Sequence, residues 1–448
     1  MHRNSESVST KRERIAALAK QSPQMAFTSL AYLMDIDWLK EAYRRTRKDG
    51  AAGVDGVTAE EYEQDLEGNL QRLLDCAKSG TYRAPPVRRV HIPKGGSKTE
   101  TRPLGIPTLE DKILQRAVVM LLEPIYEQDF LDCSYGFRPG RSAHQALKSF
   151  RDQLMDCRGG WTLEVDLRKF FDNLDHSHLR EFLRLRVRDG VLLRLLDKWL
   201  KAGVMEKGSV SYPEAGSPQG GVVSPLISNV FLHYVLDLWF EQEVKPRLRH
   251  RAFLVRYADD FVIGFRDHRD AQRVMEVLPK RFGKYGLTVH PAKTKLVPFR
   301  PPSSSTQGRK GPPSNRPGTF NLLGFTHYWA KSRRGYWVIK LETAADRFSR
   351  AMRSIALWCR ANRHLSKREQ QLKLNEKLRG HYAYYGVTGN SGALTKFRQE
   401  VERCWHKWLR RRNRQRKMPW DRFQRMLRHY SLARVTTVHS VLRTAANP

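Results

Sequence analysis

Two short segments separated by three residues constrain the fold of this chain most tightly. Aromatic or β-branched residues recur at every second position in 253–257 and again in 261–265. A period of two is typical of β-strands. Because only Ala258, Asp259 and Asp260 lie between the segments, the pattern predicts an antiparallel hairpin with two carboxylates at its tip.

A third strand is predicted upstream, where residues 161–166 alternate apolar and polar side chains and end on Asp166. This pattern indicates a half-buried strand. A hairpin tip beside another strand's aspartate could hold two divalent cations about 3.5–4 Å apart, as nucleotidyl transfer requires, and carboxylates are ligands that Mg²⁺ prefers. Taken alone, the short Tyr257–Asp260 motif is equally compatible with a solvated turn.

Two further segments carry residues suited to a nucleotide. The segment 217–226 contains Gly220 and Gly221, which would let the backbone approach a ligand closely, and Gln219, whose amide could bond a sugar or base. Upstream, Arg102 follows a loop containing Lys94, so both cations could neutralise a triphosphate.

The charge balance indicates a polyanionic partner. The chain has 81 lysines and arginines against 46 acidic residues, a formal charge of +35, and nucleic acid is the first candidate. An anionic membrane surface is the weaker alternative, because the basic residues do not form one amphipathic anchor. The five cysteines include no C-x-x-C pair, no stretch qualifies as transmembrane, and we expect a cytoplasmic, nucleoid-associated bacterial protein.

Local patterns predict the organisation along the chain. Residues 1–25 are polar and basic and are expected to be flexible, and 301–318 is expected to be a flexible surface insertion because it is rich in Pro, Ser and Gly. The predicted helix signals are caps at Ser142 and Asp175 and a capping box of Thr343 with Asp346.

The order of these motifs resembles that of the reverse transcriptases encoded by group II introns, over about Leu30 to Leu432. Further segments that carry the resemblance are 52–56 (AGVDG), 134–142 (SYGFRPGRS), 293–295 (KTK), 321–325 (NLLGF) and 378–382 (LRGHY). The resemblance implies an α+β right-hand polymerase. Its fingers and palm, built around an antiparallel palm sheet, would occupy 26–335, and an all-α thumb and maturase domain 336–448.

The resemblance also implies roles for individual residues. Asp166 and Asp259 would bind two Mg²⁺ ions (Mn²⁺ is the alternative), Asp260 would complete the acidic cluster, and the Leu167 carbonyl would assist. The nucleotide would be held by Lys94, Arg102 and Gln219, and Phe171 would block a ribose 2′-hydroxyl, which favours DNA synthesis over RNA synthesis. Its neighbour Phe170 is expected to lie in the core.

Basic residues are the candidates for contact with nucleic acid. Arg138 and Arg141 precede a predicted helix N-terminus, where phosphate binding is physically natural, although a surface turn would explain them too. The others are Lys293 and the C-terminal run of Arg410, Arg411, Arg412 and Arg414, a stretch without acids. Such a run is usually a solvated face, but uncompensated cations also suit a phosphate partner.

The resemblance therefore predicts an RNA-directed DNA polymerase that also binds group II intron RNA as a splicing maturase in a mobile element. Its expected partners are an RNA template, a DNA primer, dNTPs and target DNA, and its oligomeric state is not specified. The residues after Leu432 lack the paired cysteines and histidines of the family's endonuclease, so we expect no target-strand cleavage. The alternatives are a stand-alone reverse transcriptase domesticated for DNA repair or defence, and a splicing-only RNA-binding maturase.

Overall fold

The computed structural model describes residues 7–93, 101–206, 209–212, 216, 220–302, 318–412 and 418–440. Lys94, Gln219, Arg414 and most of the 301–318 insertion therefore lie outside the described residues. Within them, no helix is both long enough and apolar enough to cross a membrane.

Helices make up about half of the described chain. They are α1 (Val8–Gln21), α2 (Ile36–Arg45), α3 (Ala59–Glu63), α4 (Leu66–Ser79), α5 (Leu109–Asp129), α6 (Ala143–Asp156), α7 (His176–Arg186), α8 (Gly190–Leu200), α9 (Ser224–Leu232), α10 (His268–Gly283), α11 (Ala345–Ala361), α12 (Lys367–Tyr385), α13 (Ser391–Arg410) and α14 (Trp420–His429). After α9 the helix continues as π-helical turns over His233–Asp237 and Trp239–Val244.

The strands are β1 (Val87–Pro93), β2 (Thr101–Ile106), β3 (Gly160–Val165), β4 (Leu167–Arg168), β5 (Val204–Glu206), β6 (Ser209–Ser211), β7 (Ala252–Tyr257), β8 (Asp260–Phe265), β9 (Thr288–Val289), β10 (Lys295–Phe299), β11 (Phe320–Leu322), β12 (Phe325–Lys331) and β13 (Trp337–Thr343). They form sheets in the orders β2-β1-β5-β6, β10-β3-β8-β7, β11-β12-β13 and β4-β9. The β1–β5 pairing is parallel, and the other pairings of the described strands are antiparallel.

The sheet β10-β3-β8-β7 is covered on both faces, so its strands are more buried than the alternating pattern predicted. Leu254 and Ile263 face the largest core cluster, which includes residues of α9 and α10. Phe253 and Val262 face the opposite side, toward α6 and the sheet β11-β12-β13. Each strand of a sheet that is packed on both sides is a nearly continuous run of apolar residues, which explains the sequences of β7 and β8.

The N-terminal segment 1–25, which we expected to be flexible, contains helix α1. Helix α1 packs on α5, and Ile15 and Ala19 are 2% and 1% exposed. The Lys11 amino group forms an ion pair with Asp35. The apolar stripe that docks is only one helical turn long. The polar composition of the segment therefore did not predict the docking.

Predicted helix starts differ in their outcome. Ser142 accepts a hydrogen bond from the Gln145 amide and Asp175 one from the His178 amide, so both caps are confirmed. The capping box of Thr343 with Asp346 is wrong. Thr343 ends β13, and α11 starts at Ala345 without a side-chain cap.

The C-terminal helices α11–α14 enclose a separate apolar cluster, which includes Leu374, Phe397 and Trp405. The Trp405 indole donates a 2.9 Å hydrogen bond to the side-chain oxygen of Gln370, so the buried N–H is satisfied. The chain is thus a mixed α/β region with antiparallel sheets, followed by a helical C-terminal region, as the sequence predicted at this level.

Candidate active site

Three aspartates meet at one end of the sheet β10-β3-β8-β7. Asp259 lies in the turn between β7 and β8, and Asp260 begins β8. Val165, the last residue of β3, pairs with Phe261. Asp166 therefore leaves β3 beside Asp260, and the strand register alone brings together carboxylates that are 94 residues apart in the chain.

A buried arginine stabilises the hairpin turn. Ala258 has a φ of 57°, a conformation that non-glycine residues adopt rarely. Arg256 is fully buried and its guanidinium donates hydrogen bonds to the Ala258 carbonyl at 3.1 Å and to Asn229 Oδ1 at 2.8 Å. Two more reach the Asp237 carboxylate, at 2.8 and 2.6 Å. The strained turn is thus fixed by groups that do not face solvent.

A π-helical turn helps to assemble this network. Asn229 lies in α9 and Asp237 eight residues later, so a regular α-helix would rotate their side chains about 80° apart. The π-helical segment His233–Asp237 has wider turns, which reduces the rotation per residue. Both side chains therefore reach Arg256.

The loop before α6 packs directly on the hairpin turn. A Cβ atom added at Gly136 would lie 2.2 Å from the Ala258 nitrogen and 2.8 Å from the Tyr257 carbonyl carbon. The Gly136 carbonyl accepts a 2.7 Å hydrogen bond from Asn229. Only a glycine permits this backbone-to-backbone approach.

The carboxylates perturb one another. Desolvation raises the pKa of Asp259, and the charge of Asp166 adds to the rise, while Arg102 opposes it. Desolvation and then the charges of Asp259 and Asp166 raise the pKa of Asp260 to about 6. Asp260 nevertheless keeps contact with solvent, so it is crowded by neighbouring atoms yet open to water.

Lys293 forms an ion pair with Asp166. Its Nζ lies 3.3 Å from Asp166 Oδ2, and the two side chains are 53% and 38% exposed. A solvent-exposed pair of this kind is weak and readily exchanged. Lys293, which we expected to contact nucleic acid, thus lies at the acidic cluster.

The donor set fits divalent cations. Carboxylates are the hard oxygen ligands that Mg²⁺ takes in proteins. Desolvation, and after it the repulsion between the carboxylates, raises the pKa values of Asp259 and Asp260, and a cation between the carboxylates would relieve that repulsion.

A second acidic group, at the start of α10, has a structural explanation. Among the described residues, the potential metal ligands of His250, Asp267 and Asp270 lie within 4.8 Å of one another. Asp267 accepts backbone amides at the α10 N-terminus, and Asp270 accepts the amides of Arg249 and His250. Backbone donors therefore already stabilise both carboxylates.

Among the described residues are two that we predicted to contact the nucleotide, Arg102 and Phe171. Arg102 is exposed on β2, and its charge reaches Asp259 and Asp260. Phe171 lies in a 3₁₀ turn and is partly buried, whereas Phe170 is 2% exposed in the core. Leu167 pairs with Val289 and its side chain is buried.

The two arginines of the 134–142 segment have different environments. Arg138 is 7% exposed, forms an ion pair with Glu127 and donates to the carbonyls of Leu131 and Ser134. It anchors the loop, and these partners occupy its guanidinium. Arg141 pairs at 2.6 Å with Asp132, whose side chain is 96% exposed, so a phosphate could replace that partner.

The described arginines of the C-terminal run lie at the end of α13. Arg410 is its last residue and is exposed. The Arg411 guanidinium lies 5.2 Å from the Trp408 ring centroid, and Arg412 donates a hydrogen bond to the His364 carbonyl. They form a basic surface on this helix end.

Sequence reasoning missed the residues that support the hairpin. Arg256 interrupts an otherwise apolar strand, and Asn229 and Asp237 interrupt the most apolar stretch of the chain. Polar residues inside apolar segments are buried only with partners. This was the signal in the sequence, but it does not reveal which residues pair.

Comparison with known proteins identifies relatives. Residues 92–327 match the family model described as reverse transcriptase (RNA-dependent DNA polymerase). Protein YkfC of Escherichia coli is 39% identical, covering 57% of this chain and 75% of YkfC. The group II intron-encoded protein LtrA of Lactococcus lactis is 34% identical, covering 66% of this chain and 48% of LtrA. The nuclear intron maturase 4 of Arabidopsis thaliana is 27% identical over 33% of this chain and 18% of its own length.

Proposed function

This chain belongs to the reverse transcriptase (RNA-dependent DNA polymerase) family, and we propose that it copies RNA into DNA at the cluster of Asp166, Asp259 and Asp260. The observation that carries this proposal is the convergence of these three carboxylates at one end of the sheet, through the pairing of β3 with β8 and the β7–β8 turn. The chain spans about half the length of LtrA. The activity is therefore proposed for this chain alone.

The acidic cluster would hold two divalent cations, Mg²⁺ or alternatively Mn²⁺. When bound, they activate a primer 3′-oxygen and neutralise charge on the triphosphate. Asp166 would ligate from the end of β3 and Asp259 from the β7–β8 turn, with Asp260 and the Leu167 carbonyl completing the set. Arg256 keeps the turn in its left-handed conformation, so the Asp259 carboxylate is positioned before substrate arrives.

The substrate side of the site would be built from three elements. Arg102 on β2 would pair with triphosphate oxygens, aided by Lys94, and Gln219 would bond the nucleotide. The partly buried Phe171 would close the space at the sugar 2′ position. Its ring packs edge-on to Phe170 with centroids 5.2 Å apart, which holds it in place.

In this proposal the chain has the right-hand architecture of a polymerase. Residues 26–335 would form fingers and palm around the sheet β10-β3-β8-β7, and residues 336–448 the thumb. The pKa of Asp260 is raised overall by desolvation, and the charge of Arg347 on α11 partly offsets this rise. This electrostatic effect supports a thumb near the site.

A second role, in binding intron RNA, is supported by the relatives named for group II introns and intron maturases. The basic end of α13, with Arg410, Arg411, Arg412 and Arg414, would contact phosphates of that RNA. Target DNA and splicing support belong to this second role.

Primer extension on an RNA template tests the polymerase proposal. With a DNA primer, Mg²⁺ and dNTPs, the purified chain should synthesise cDNA, and an equal concentration of ribonucleotides should be used poorly. Extension that needs a DNA template, or that prefers ribonucleotides, would contradict it.

Salt-dependent RNA binding tests the second role. Changing three arginines to Gln should lower the slope of log K against log salt by about 0.7–0.9 for each phosphate that the variant no longer binds. A control with the same charge change uses exposed arginines outside the run. The test variant is R410Q/R411Q/R412Q and the control is R44Q/R47Q/R72Q. Equal slopes for both variants would show that only net charge matters.

A further inference from the structure

One bulky residue beside the hairpin turn is held in an unfavourable conformation. Phe137 has a φ of 59° and is 56% exposed. Left-handed backbone is uncommon for residues other than glycine, asparagine and aspartate, and for a large side chain it is an outlier. Such strain persists only where the surrounding structure imposes it, and it concentrates at functional sites.

The flanking residues impose this conformation. Gly136 packs on Ala258 and its carbonyl is bonded by Asn229. On the other side, Arg138 is buried in its ion pair with Glu127. The backbone is thus fixed on both sides of Phe137, and the ring is directed away from the core.

The backbone of Phe137 lies near the hairpin turn that carries Asp259. Gly136 approaches the Ala258 nitrogen closely, and Asp259 follows Ala258 in the turn. Phe137 is therefore one residue from a backbone contact with the turn that carries a proposed metal ligand. Arg141, whose guanidinium lies 5.3 Å from the Tyr135 ring centroid, adds a partly exposed cation to the same loop.

We propose that Phe137 is a stacking platform for a nucleobase of the primer–template bound at this site. An aromatic face stacks on any base, so the contact would bind without reading sequence. A cation on the same loop suits the backbone phosphate of that nucleotide. The inference rests on the proposed polymerase function and adds a binding residue to it.

The substitution Phe137→Gly separates binding from folding. Glycine tolerates a positive φ, so F137G should unfold at the same or a higher temperature than the wild type. Loss of stacking should weaken affinity for an RNA template annealed to a DNA primer by about 5- to 150-fold. Phe137→Asn, which also tolerates this conformation, should behave likewise, and Phe137→Trp should retain binding.

A fluorescent base gives a direct readout. The probe is an RNA–DNA primer–template with 2-aminopurine placed in turn at the templating base and at the primer terminus. Its emission should be quenched on binding to the wild type and to F137W, and less so with F137G. Tyr32→Ala is the matched control, since this aromatic is 66% exposed elsewhere and should leave affinity and quenching unchanged.

The two proposals fail in distinguishable ways. If the wild type extends primers on RNA but F137G and F137N bind within twofold of it, with unchanged quenching, the stacking inference is wrong and the polymerase assignment stands. If F137G and F137N both lower the melting temperature, Phe137 is a structural residue and the inference is overturned. If the wild type does not copy RNA at all, the polymerase proposal is wrong, and the stacking inference that rests on it is wrong as well.

Discussion

Replacing Gly136 by alanine should displace the catalytic hairpin. The new Cβ would lie 2.2 Å from the Ala258 nitrogen, and contacts under 3.0 Å are essentially never seen, so backbone must move by at least 0.8 Å. The loop cannot simply move away from the turn. The backbone N–H of Tyr135 donates a 2.8 Å hydrogen bond to the Arg256 carbonyl, and the Asn229 side chain donates one to the Gly136 carbonyl. Part of the shift must therefore reach Asp259.

A misplacement of about 1 Å at reacting groups can cost about 100-fold in rate. We expect a loss of that order in the single-turnover rate of G136A on a pre-bound RNA–DNA primer–template, and a stability loss of about 1–3 kcal/mol in urea unfolding. The control is Gly380→Ala on α12, where a Cβ meets nothing within 4 Å and should stabilise the helix by about 0.5–1 kcal/mol. A G136A rate within threefold of the wild type would refute the argument that this contact positions the turn.

Four other substitutions test the sugar barrier, the buried ion pair of Arg256 and the burial of His327. Phe171→Val should reduce the discrimination in kcat/KM between deoxy- and ribonucleotides by about tenfold or more, whereas Phe170→Val should chiefly lower stability; an unchanged ratio for F171V would place the sugar barrier elsewhere. Asp237→Ala should destabilise the fold by about 3–5 kcal/mol in urea, because it leaves the buried Arg256 charge uncompensated, and a loss under 1 kcal/mol would contradict this. Burial lowers the pKa of His327 from 6.5 to about 3, so below pH 6.5 the unfolded state binds a proton that the folded state does not, and stability falls as the pH falls toward 3. His327→Phe should therefore gain stability relative to the wild type over that range, and parallel pH curves would exclude the effect.

The parts of this structure that sequence predicts well are those set by local chemistry. The β7–β8 hairpin follows from a period of two on each side of three residues, and the Ser142 and Asp175 caps follow from one side chain and one amide. Asp166 could be assigned to the end of a strand. Its approach to Asp260 depends on register, which alternation alone does not fix.

Features created by tertiary contact were harder to predict. Helix α1 forms because Ile15 and Ala19 dock on α5, and its polar composition gives no sign of that partner. Arg138 precedes a helix in a position typical of phosphate binding, yet Glu127 from α5 occupies its guanidinium. The ion pair of Arg256 with Asp237 depends on a π-helical turn, which no residue pattern in the sequence predicts.

Primer extension by Asp259→Asn tests directly whether the three clustered carboxylates form the catalytic centre. The amide keeps the size of the side chain but removes the charge that would hold a cation. Loss of an outer-shell partner costs a metal site about 10- to 100-fold, so loss of a ligand should exceed that and reduce RNA-templated dNTP incorporation in Mg²⁺ by more than about 100-fold. Affinity for the primer–template should remain within a few-fold of the wild type, and Asp75→Asn, an exposed control on α4, should extend normally. Near-normal cDNA synthesis by D259N would show that the carboxylates at this sheet end are not the catalytic centre.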